Sequence, residues 1–128
     1  MILLDTHVWL WLNIAVEEIP SEILKTLKQR KQKIYLSAAS AWEIAIKHAS
    51  GKLPLPLPPE AYIPSRMEMN GILPLPILHG HAVKAASLPP HHRDPFDRML
   101  IAQAQVENLR LVTADPWMSD YDVEILWR

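Results

Sequence analysis

The chain has 128 residues, a length that fits one domain and leaves little room for a second. Apolar residues make up 49% and charged residues 21%, so the composition is that of a globular protein and excludes a disordered chain. A formal net charge of −1 excludes the strongly basic surface that alone would indicate nucleic-acid binding, and the lack of cysteine excludes disulfides, zinc ribbons and thiol nucleophiles. We expect a single domain over residues 1–128.

The sequence contains no membrane span. Its longest apolar run is interrupted by Asn13, whereas a span needs about 20 apolar residues. The first residues include no basic segment and reach Asp5 at once, which does not fit a signal peptide. Together with the lack of cysteine, these features predict a soluble protein of the cytoplasm that does not associate with membranes.

The first half of the chain alternates short apolar runs with helical patterns. Ile2, Leu3 and Leu4 form a run without alternation, which is typical of a buried parallel strand. Ile23 and Leu27 share one face of a predicted amphipathic helix. The predicted elements are, in order, a strand over 2–4, helical turns over 7–12, a helix over 21–32, a strand over 34–36 and a helix over 41–49.

The second half begins with a proline-rich connector over 53–59, whose alternating leucines indicate an ordered segment. The strongest helical pattern opens at Asp94, with Pro95 at the first helical position. The predicted elements are a helix over 60–70 interrupted by Pro64, a strand over 72–73, a weak helix over 81–88, a helix over 94–107, and strands over 109–113 and 123–126. Strands separated by helices predict a parallel sheet covered on both faces.

Two aspartates follow predicted strands. Asp5 ends the first strand, and Asp115 comes directly after the strand over 109–113. Ligands of open parallel sheets bind outside the carboxyl ends of the strands, so both carboxylates are expected at the functional edge. Each could instead only begin a turn or cap the next helix, as aspartate often does.

Three further acids belong to predicted helices. Glu43 lies in a helix that is apolar on nearly every side, where an unpaired charge is costly. Pairing with Lys47, four residues on, is the alternative to a metal-binding or catalytic role. Asp94 precedes a proline as a helix N-cap does. Asp97, in the first turn, is either stabilised by the helix dipole or a metal ligand.

Several carboxylates, without cysteine and without a glycine-rich phosphate loop in a chain that has 3 glycines, fit a hard cation such as Mg²⁺ or Mn²⁺. Such a cation neutralises clustered acids, polarises a phosphate and lowers the pKa of a bound water. The basic stretch over 25–33 could hold a nucleic-acid backbone or be a solvated helix face. A weaker alternative to the acidic site is a zinc site formed by His79, His81, His91 and His92.

Four segments of the chain resemble the PIN-domain nucleases, in particular the VapC-like toxins of type II toxin–antitoxin modules. The segments are 3–6 (LLDT), 40–44 (SAWEI), 92–102 (HRDPFDRMLIA) and 111–115 (LVTAD). Their order and spacing cover nearly the whole chain. The resemblance implies an α/β fold, a three-layer α/β/α sandwich around a central parallel sheet.

The resemblance also implies an acidic metal site for Mg²⁺ or Mn²⁺, formed by Asp5, Glu43, Asp97 and Asp115. Hydroxyl groups are expected beside it from Thr6 and Thr113. The phosphate contacts that we expect are Arg93, Arg98 and the Lys47–His48 end of the helix that contains Glu43. Asp94 is an additional acid of the subgroup motif, and its role stays open.

From this site the resemblance implies a metal-dependent endoribonuclease that leaves 5′-phosphate and 3′-hydroxyl ends, pairs with a small antitoxin and forms a homodimer. The main alternative is a non-catalytic protein- or RNA-binding module, in which the acids are only caps and surface charges. A small-molecule phosphatase of the aspartyl-nucleophile type is a third hypothesis, but it would need a second acid where His7 stands.

Overall fold

The computed structural model describes residues 1–29 and 31–127. The strands are β1 (Ile2–Leu4), β2 (Ile34–Ser37), β3 (Leu73–Leu75), β4 (Arg110–Val112) and β5 (Ile125–Leu126). The helices are α1 (Thr6–Ile14), α2 (Ser21–Lys28), α3 (Ala38–Ala49), α4 (Pro59–Asn70), α5 (His79–Ser87) and α6 (Pro95–Glu107). Short 3-10 turns are formed by Val16–Glu18 and Pro116–Asp120.

The five strands form one parallel sheet in the order β3-β2-β1-β4-β5. Central β1 pairs with β2, where Ile2 lies opposite Ile34, and with β4, where Leu3 lies opposite Leu111. The chain proceeds outward from β1 to β3 and then crosses to β4 on the other side. This reversal at β1 and β4 is the kind of switch point at which parallel sheets bind ligands.

Strand β1 supplies both faces of the core. Ile2 and Leu4 belong to one buried cluster and Leu3 to the other, because successive side chains of a strand point to opposite faces. The first cluster includes side chains from α1, α2, α3 and α4, and the second includes side chains from α5 and α6. The predicted three-layer sandwich around a parallel sheet is confirmed. Asp5 therefore leaves β1 from the most deeply packed part of the fold.

Two prolines do not have the effect that the sequence predicts. Helix α4 runs without interruption past Pro64, which is exposed, so the backbone hydrogen bond that proline removes is lost towards solvent. The predicted interruption is therefore wrong. Strand β3 extends to Leu75 and includes Pro74, where a strand over 72–73 was expected. The edge position of β3 explains this, because an edge strand tolerates a missing donor.

The other helix boundaries differ by a few residues. Helix α3 begins at Ala38 rather than at residue 41, because the Ser37 side chain caps it by accepting a 3.0 Å hydrogen bond from the Ala39 amide. Helix α2 ends at Lys28, and the predicted extension to residue 32 includes Arg30, which lies outside the described residues. In the described part of the chain, no helix has both the length and the apolar character needed to cross a bilayer.

Candidate metal centre at the carboxyl edge of the sheet

Asp5 is fixed between the two central strands. Its amide donates to the carbonyl of Val112 at 2.9 Å, and the hydroxyl of Thr113 donates to Asp5 Oδ2 at 2.7 Å. The residue is 4% exposed, and its other carboxylate oxygen, Oδ1, is buried without a hydrogen-bond partner among the described residues. Burial raises the pKa of Asp5, against the lowering effects of Thr113 and His7. A buried carboxylate oxygen without a donor is costly and fits a site for a cation.

Helix α6 brings Asp97 to the same edge. Asp94 is its N-cap, because Asp94 Oδ1 accepts from the amides of Phe96 at 2.8 Å and Asp97 at 3.2 Å. Burial, followed by the negative charges of Asp5 and Asp94, raises the pKa of Asp97 to about 7. The structure thus gives Asp94, whose role the sequence leaves open, a capping task. Asp97 is a carboxylate that needs a proton or a cation at neutral pH.

His92 joins two of the acids. Its Nε2 atom lies 2.8 Å from Asp97 Oδ2 and 3.3 Å from Asp115 Oδ2. Asp115 is oriented by the backbone, since its amide donates to the Thr113 hydroxyl at 3.0 Å and its Oδ1 accepts from the Trp117 amide at 2.9 Å. The ligand atoms of His92, Asp97 and Asp115 lie within 4.8 Å of one another. The sequence indicates His92 as a phosphate contact, a solvated loop residue or part of a zinc site, and it stands two residues before the Asp94 cap.

Glu43 forms the predicted pair with Lys47, and its charge also acts on Asp5 and Asp97. Its Oε2 atom accepts a hydrogen bond from Lys47 Nζ at 2.8 Å, and the residue is buried in α3. Its negative charge contributes to the raised pKa of both Asp5 and Asp97. The ion pair and this effect on the two aspartates are therefore compatible, because Lys47 offsets part of the charge of a buried carboxylate.

The two threonines have different partners. Thr113 holds Asp5, whereas the buried hydroxyl of Thr6 donates to Ser40 Oγ at 2.8 Å and so links the start of α1 to α3. Thr6 thus positions the element that carries Glu43. Arg93 is exposed at the surface directly before the Asp94 cap.

Arg98 holds the loop that carries His92. Its Nη2 and Nη1 atoms donate, at 2.9 to 3.1 Å, to the carbonyls of Ala85, Leu88, Pro89 and His92. Tyr121 completes this arrangement, because its hydroxyl accepts from the His92 amide at 2.8 Å and donates to the Pro89 carbonyl at 2.7 Å. The sequence predicts that Arg98 contacts a phosphate. In the structure its guanidinium instead donates hydrogen bonds to backbone carbonyls.

The four histidines do not come together. His81 is buried between α5 and α6, where Nε2 lies 2.7 Å from Glu107 Oε2 and Nδ1 accepts from the Leu78 amide at 3.0 Å. His91 packs its ring against Tyr121, and His92 belongs to the acidic site. In the described ranges 1–29 and 31–127, the cluster of potential ligands is the one around His92, so the alternative four-histidine zinc site is wrong.

The donor set fits a hard divalent cation. Among the described residues the grouped ligand atoms are those of His92, Asp97 and Asp115, and the negative charges of Asp5 and Glu43 also act on Asp97. Carboxylates are the ligands that Mg²⁺ and Mn²⁺ prefer. Oδ1 of Asp5 is buried without a hydrogen-bond partner among the described residues, and burial together with neighbouring negative charges raises the pKa of Asp97. A bound cation would satisfy the first and favour the charged form of the second.

Comparison with known proteins agrees with this architecture. The model of the PIN domain family matches residues 2–124. A segment of 51 residues, 40% of the chain, is 53% identical to Ribonuclease VapC16 of Mycobacterium tuberculosis (strain ATCC 25618 / H37Rv) and covers 36% of that protein, so the match spans about a third of this relative.

Solved structures share the fold. VapBC2 from Rickettsia felis, bound to a DNA fragment from its promoter, superposes with a TM-score of 0.71 and 15% identity over 100% of both chains. FitAcB from Neisseria gonorrhoeae superposes with a TM-score of 0.65 and 23% identity over 98% of this chain and 96% of that one. At these identities the similarity shows the fold alone.

Proposed function

Because this chain belongs to the PIN domain family, we propose that it is a metal-dependent endoribonuclease and the toxin of a type II toxin–antitoxin pair. The observation that carries the proposal is the gathering of Asp5, Asp97 and Asp115 at the carboxyl edge of the sheet, with Asp5 Oδ1 buried and unpartnered among the described residues. The name of the ribonuclease that shares 53% identity over 51 residues supports RNA as the substrate.

Asp5 and Asp97 are the residues that would hold Mg²⁺ or Mn²⁺, with Asp115 and Glu43 completing the site directly or through water. When bound, the cation polarises the phosphate and lowers the pKa of the attacking water. Thr113 keeps Oδ2 of Asp5 in place, which leaves Oδ1 for the cation. His92 orients the carboxylates of Asp97 and Asp115 through the contacts at 2.8 and 3.3 Å.

The reaction is hydrolysis of an RNA phosphodiester. The oxygen of a water molecule attacks phosphorus in line with the 3′ oxygen, the bond from phosphorus to that oxygen breaks, and the products carry a 5′-phosphate and a 3′-hydroxyl. We propose that Glu43 accepts the proton that the attacking water loses. Its Oε2 is anchored by Lys47, whereas both carboxylate oxygens of Asp115 face donors, the Trp117 amide and His92. The leaving 3′ oxygen takes its proton from solvent.

Substrate contacts surround these acids. Arg93 is exposed and Lys47 is partly exposed, and we propose that both bind phosphates of the RNA. Thr113 and Thr6 act by positioning Asp5 and α3. Arg98 serves substrate binding through the loop that it holds.

As partners we propose a small antitoxin that covers the acidic edge and a second copy of this chain in a homodimer. VapBC2 from Rickettsia felis is a neighbour in fold, and its name supports a paired partner. We further propose that residues 1–128 act as one domain in the cytoplasm.

The test is cleavage of pooled cellular RNA by the purified protein in Mg²⁺, in Mn²⁺ and in chelator. We expect cutting with either metal and none in chelator. Asp5→Asn should abolish cutting and keep the fold, because it removes the charge of a ligand and preserves its volume. Asp122→Asn, an exposed acid away from the site, is the matched control and should cut like the wild type.

Full activity of Asp5→Asn would contradict the site. Absence of cutting in every condition, together with a melting temperature that does not respond to metal, would favour the non-catalytic binding module instead. Mapping the 5′ and 3′ ends of the fragments tests the direction of the bond cleavage.

A further inference from the structure

Two tryptophans are exposed beside the acidic site. Trp42, next to Glu43 in α3, is 62% exposed, and Trp117, two residues after Asp115, is 60% exposed. Tryptophan is highly buried on average, so a ring that is more than half exposed is available for contact with a ligand. Neither ring contributes to the cores described above.

Each tryptophan is tied to an acid of the site. The ring of Trp42 meets Phe96, the neighbour of Asp97, edge to face with centroids 5.3 Å apart and an interplanar angle of 77°. The amide of Trp117 donates to Asp115 Oδ1 at 2.9 Å. The Trp42 ring is therefore packed against the helix that carries Asp97, and the backbone of Trp117 is fixed beside Asp115.

The topology places the elements that carry the two tryptophans on opposite sides of β1. Trp42 belongs to the helix that follows β2, and Trp117 belongs to the turn that follows β4. Strands β2 and β4 are the two neighbours of β1, whose end carries Asp5. A strand of RNA with one phosphate at Asp5 would pass one tryptophan before this phosphate and the other after it.

We propose that Trp42 and Trp117 are stacking platforms for two bases that flank the scissile phosphate. This inference rests on the nuclease function proposed above. An indole face stacks on any of the four bases, which suits binding with little sequence preference. Bases inside a duplex already stack on each other and are not available to a side chain, so a single strand or an unpaired loop is selected.

Two cationic side chains near the site residues along the chain are available to phosphates of the RNA. Arg93 is exposed, Lys47 is partly exposed, and both lie within a few residues of a site carboxylate along the chain. Ile46 is 44% exposed and lies one helical turn from Trp42 on the same face of α3. A protein interface would use this aliphatic side chain together with Trp42, whereas a base cannot stack on it.

The first experiment measures RNA affinity without cleavage. A labelled single-stranded RNA of 12 nucleotides is titrated in Mg²⁺ by fluorescence anisotropy against the full chain carrying Asp5→Asn. Adding Trp42→Ala or Trp117→Ala should raise Kd by about 5- to 100-fold each, the range typical of one lost stacking contact. Trp42→Phe and Trp117→Phe should recover most of this loss, and Ile46→Ala, the matched control, should not change Kd.

The second experiment links each ring to a base. Single nucleotides of the RNA are replaced in turn by abasic residues. At the position that stacks on Trp42, removing the base should weaken RNA binding by the Asp5→Asn protein. It should not further weaken RNA binding by the variant that also carries Trp42→Ala. Trp117 should show the same coupling at a different position. The fully complementary duplex should bind several-fold more weakly than the single strand.

The outcomes are distinguishable. If the wild type cuts RNA but the alanine variants bind the strand as tightly as their parent, the stacking inference is overturned and the nuclease function stands. If Trp42→Ala and Ile46→Ala both turn a dimer into a monomer in light scattering while Kd for RNA is unchanged, the surface is a protein interface and the inference is again overturned. If the wild type neither cuts nor binds RNA, the proposed function fails first.

Discussion

Helix α6 has a histidine–carboxylate contact near each end, and the two contacts are almost equal in length. Near the end of the helix, His81 Nε2 lies 2.7 Å from Glu107 Oε2, and at the start His92 Nε2 lies 2.8 Å from Asp97 Oδ2. Their surroundings differ. The His81 side chain is 1% exposed and its second ring nitrogen accepts from the Leu78 amide, whereas the His92 side chain is 20% exposed and faces a second acid, Asp115.

The difference shows that the distance within a pair does not separate structure from function. At the His81 end, both ring nitrogens have partners and one carboxylate faces one imidazole. At the His92 end, one imidazole faces two carboxylates, and the charges of Asp5 and Asp94 add to the repulsion at Asp97. The first end is complete without a ligand, and the second has an excess of negative charge that a cation would offset.

The two ends should differ most in cleavage rate when one carboxylate charge is removed at each of them in turn. Asp97→Asn should lower the initial rate of RNA cleavage by more than about 100-fold, beyond the 10- to 100-fold typical of groups that only support a ligand. Glu107→Gln, the matched change at the other end, should cleave within about twofold of the wild type, because Glu107 contacts the buried His81 and not the site. Equal losses in both variants would contradict the distinction between the two ends.

The histidines should show the opposite order in stability. His81→Ala should lower the free energy of unfolding by about 2–3 kcal/mol, because it leaves the Leu78 amide without an acceptor and opens a cavity. His92→Ala should cost less than about 1 kcal/mol, since it removes a partly exposed side chain and with it a contact to crowded acids. Urea denaturation in chelator compares them, and a larger loss for His92→Ala would be evidence against this view.

The titration of Asp97 should contribute to the pH dependence of the free energy of unfolding. Its pKa is raised from 3.8 to about 7 in the folded protein, so between these values the folded state holds a proton that the unfolded chain has released. The free energy of unfolding in chelator should therefore fall as pH rises through this window. Asp97→Asn should flatten that fall, and Glu107→Gln should not. Urea titrations at pH 5 and pH 8 measure the difference, which should shrink when Mg²⁺ is added.

Tyr121→Phe should have a smaller effect on cleavage than Asp97→Asn. The hydroxyl that it removes accepts from the His92 amide and donates to the Pro89 carbonyl, so the His92 loop should loosen. We expect a loss of about 1 kcal/mol in stability and a fewfold loss in cleavage rate. Tyr35→Phe is the control, since among the described contacts its hydroxyl makes no hydrogen bond. Unchanged cleavage in Tyr121→Phe would show that the loop does not position His92.

The acids of the site follow from local sequence because local rules place them. Asp5 and Asp115 come after apolar strands, and carboxyl ends of parallel strands meet at one edge whatever the rest of the chain does. Asp94 before Pro95 is a helix start in almost any context, and it is the N-cap in the structure. The same holds for the pair of Glu43 and Lys47, which helix geometry alone predicts.

Features that depend on distant partners were not predictable. The sequence shows that Arg98 is charged but not that four carbonyls of the chain before it surround its guanidinium. His92 reaches Asp115 only because Arg98 and Tyr121 hold its loop, and Tyr121 lies 29 residues further along the chain. Pro74 is tolerated because β3 is the edge of the sheet, which follows from the order of all five strands.

The hydrogen bond from Thr113 to Asp5 joins residues that are 108 positions apart. β1 and β2 are synthesised before β4, so β1 can pair with β2 before its other neighbour has left the ribosome. Until Thr113 and Asp115 follow β4, the Asp5 carboxylate lacks the hydroxyl that orients it, and the site lacks one of its acids. The activity proposed for this protein therefore requires a chain that has been synthesised beyond Asp115.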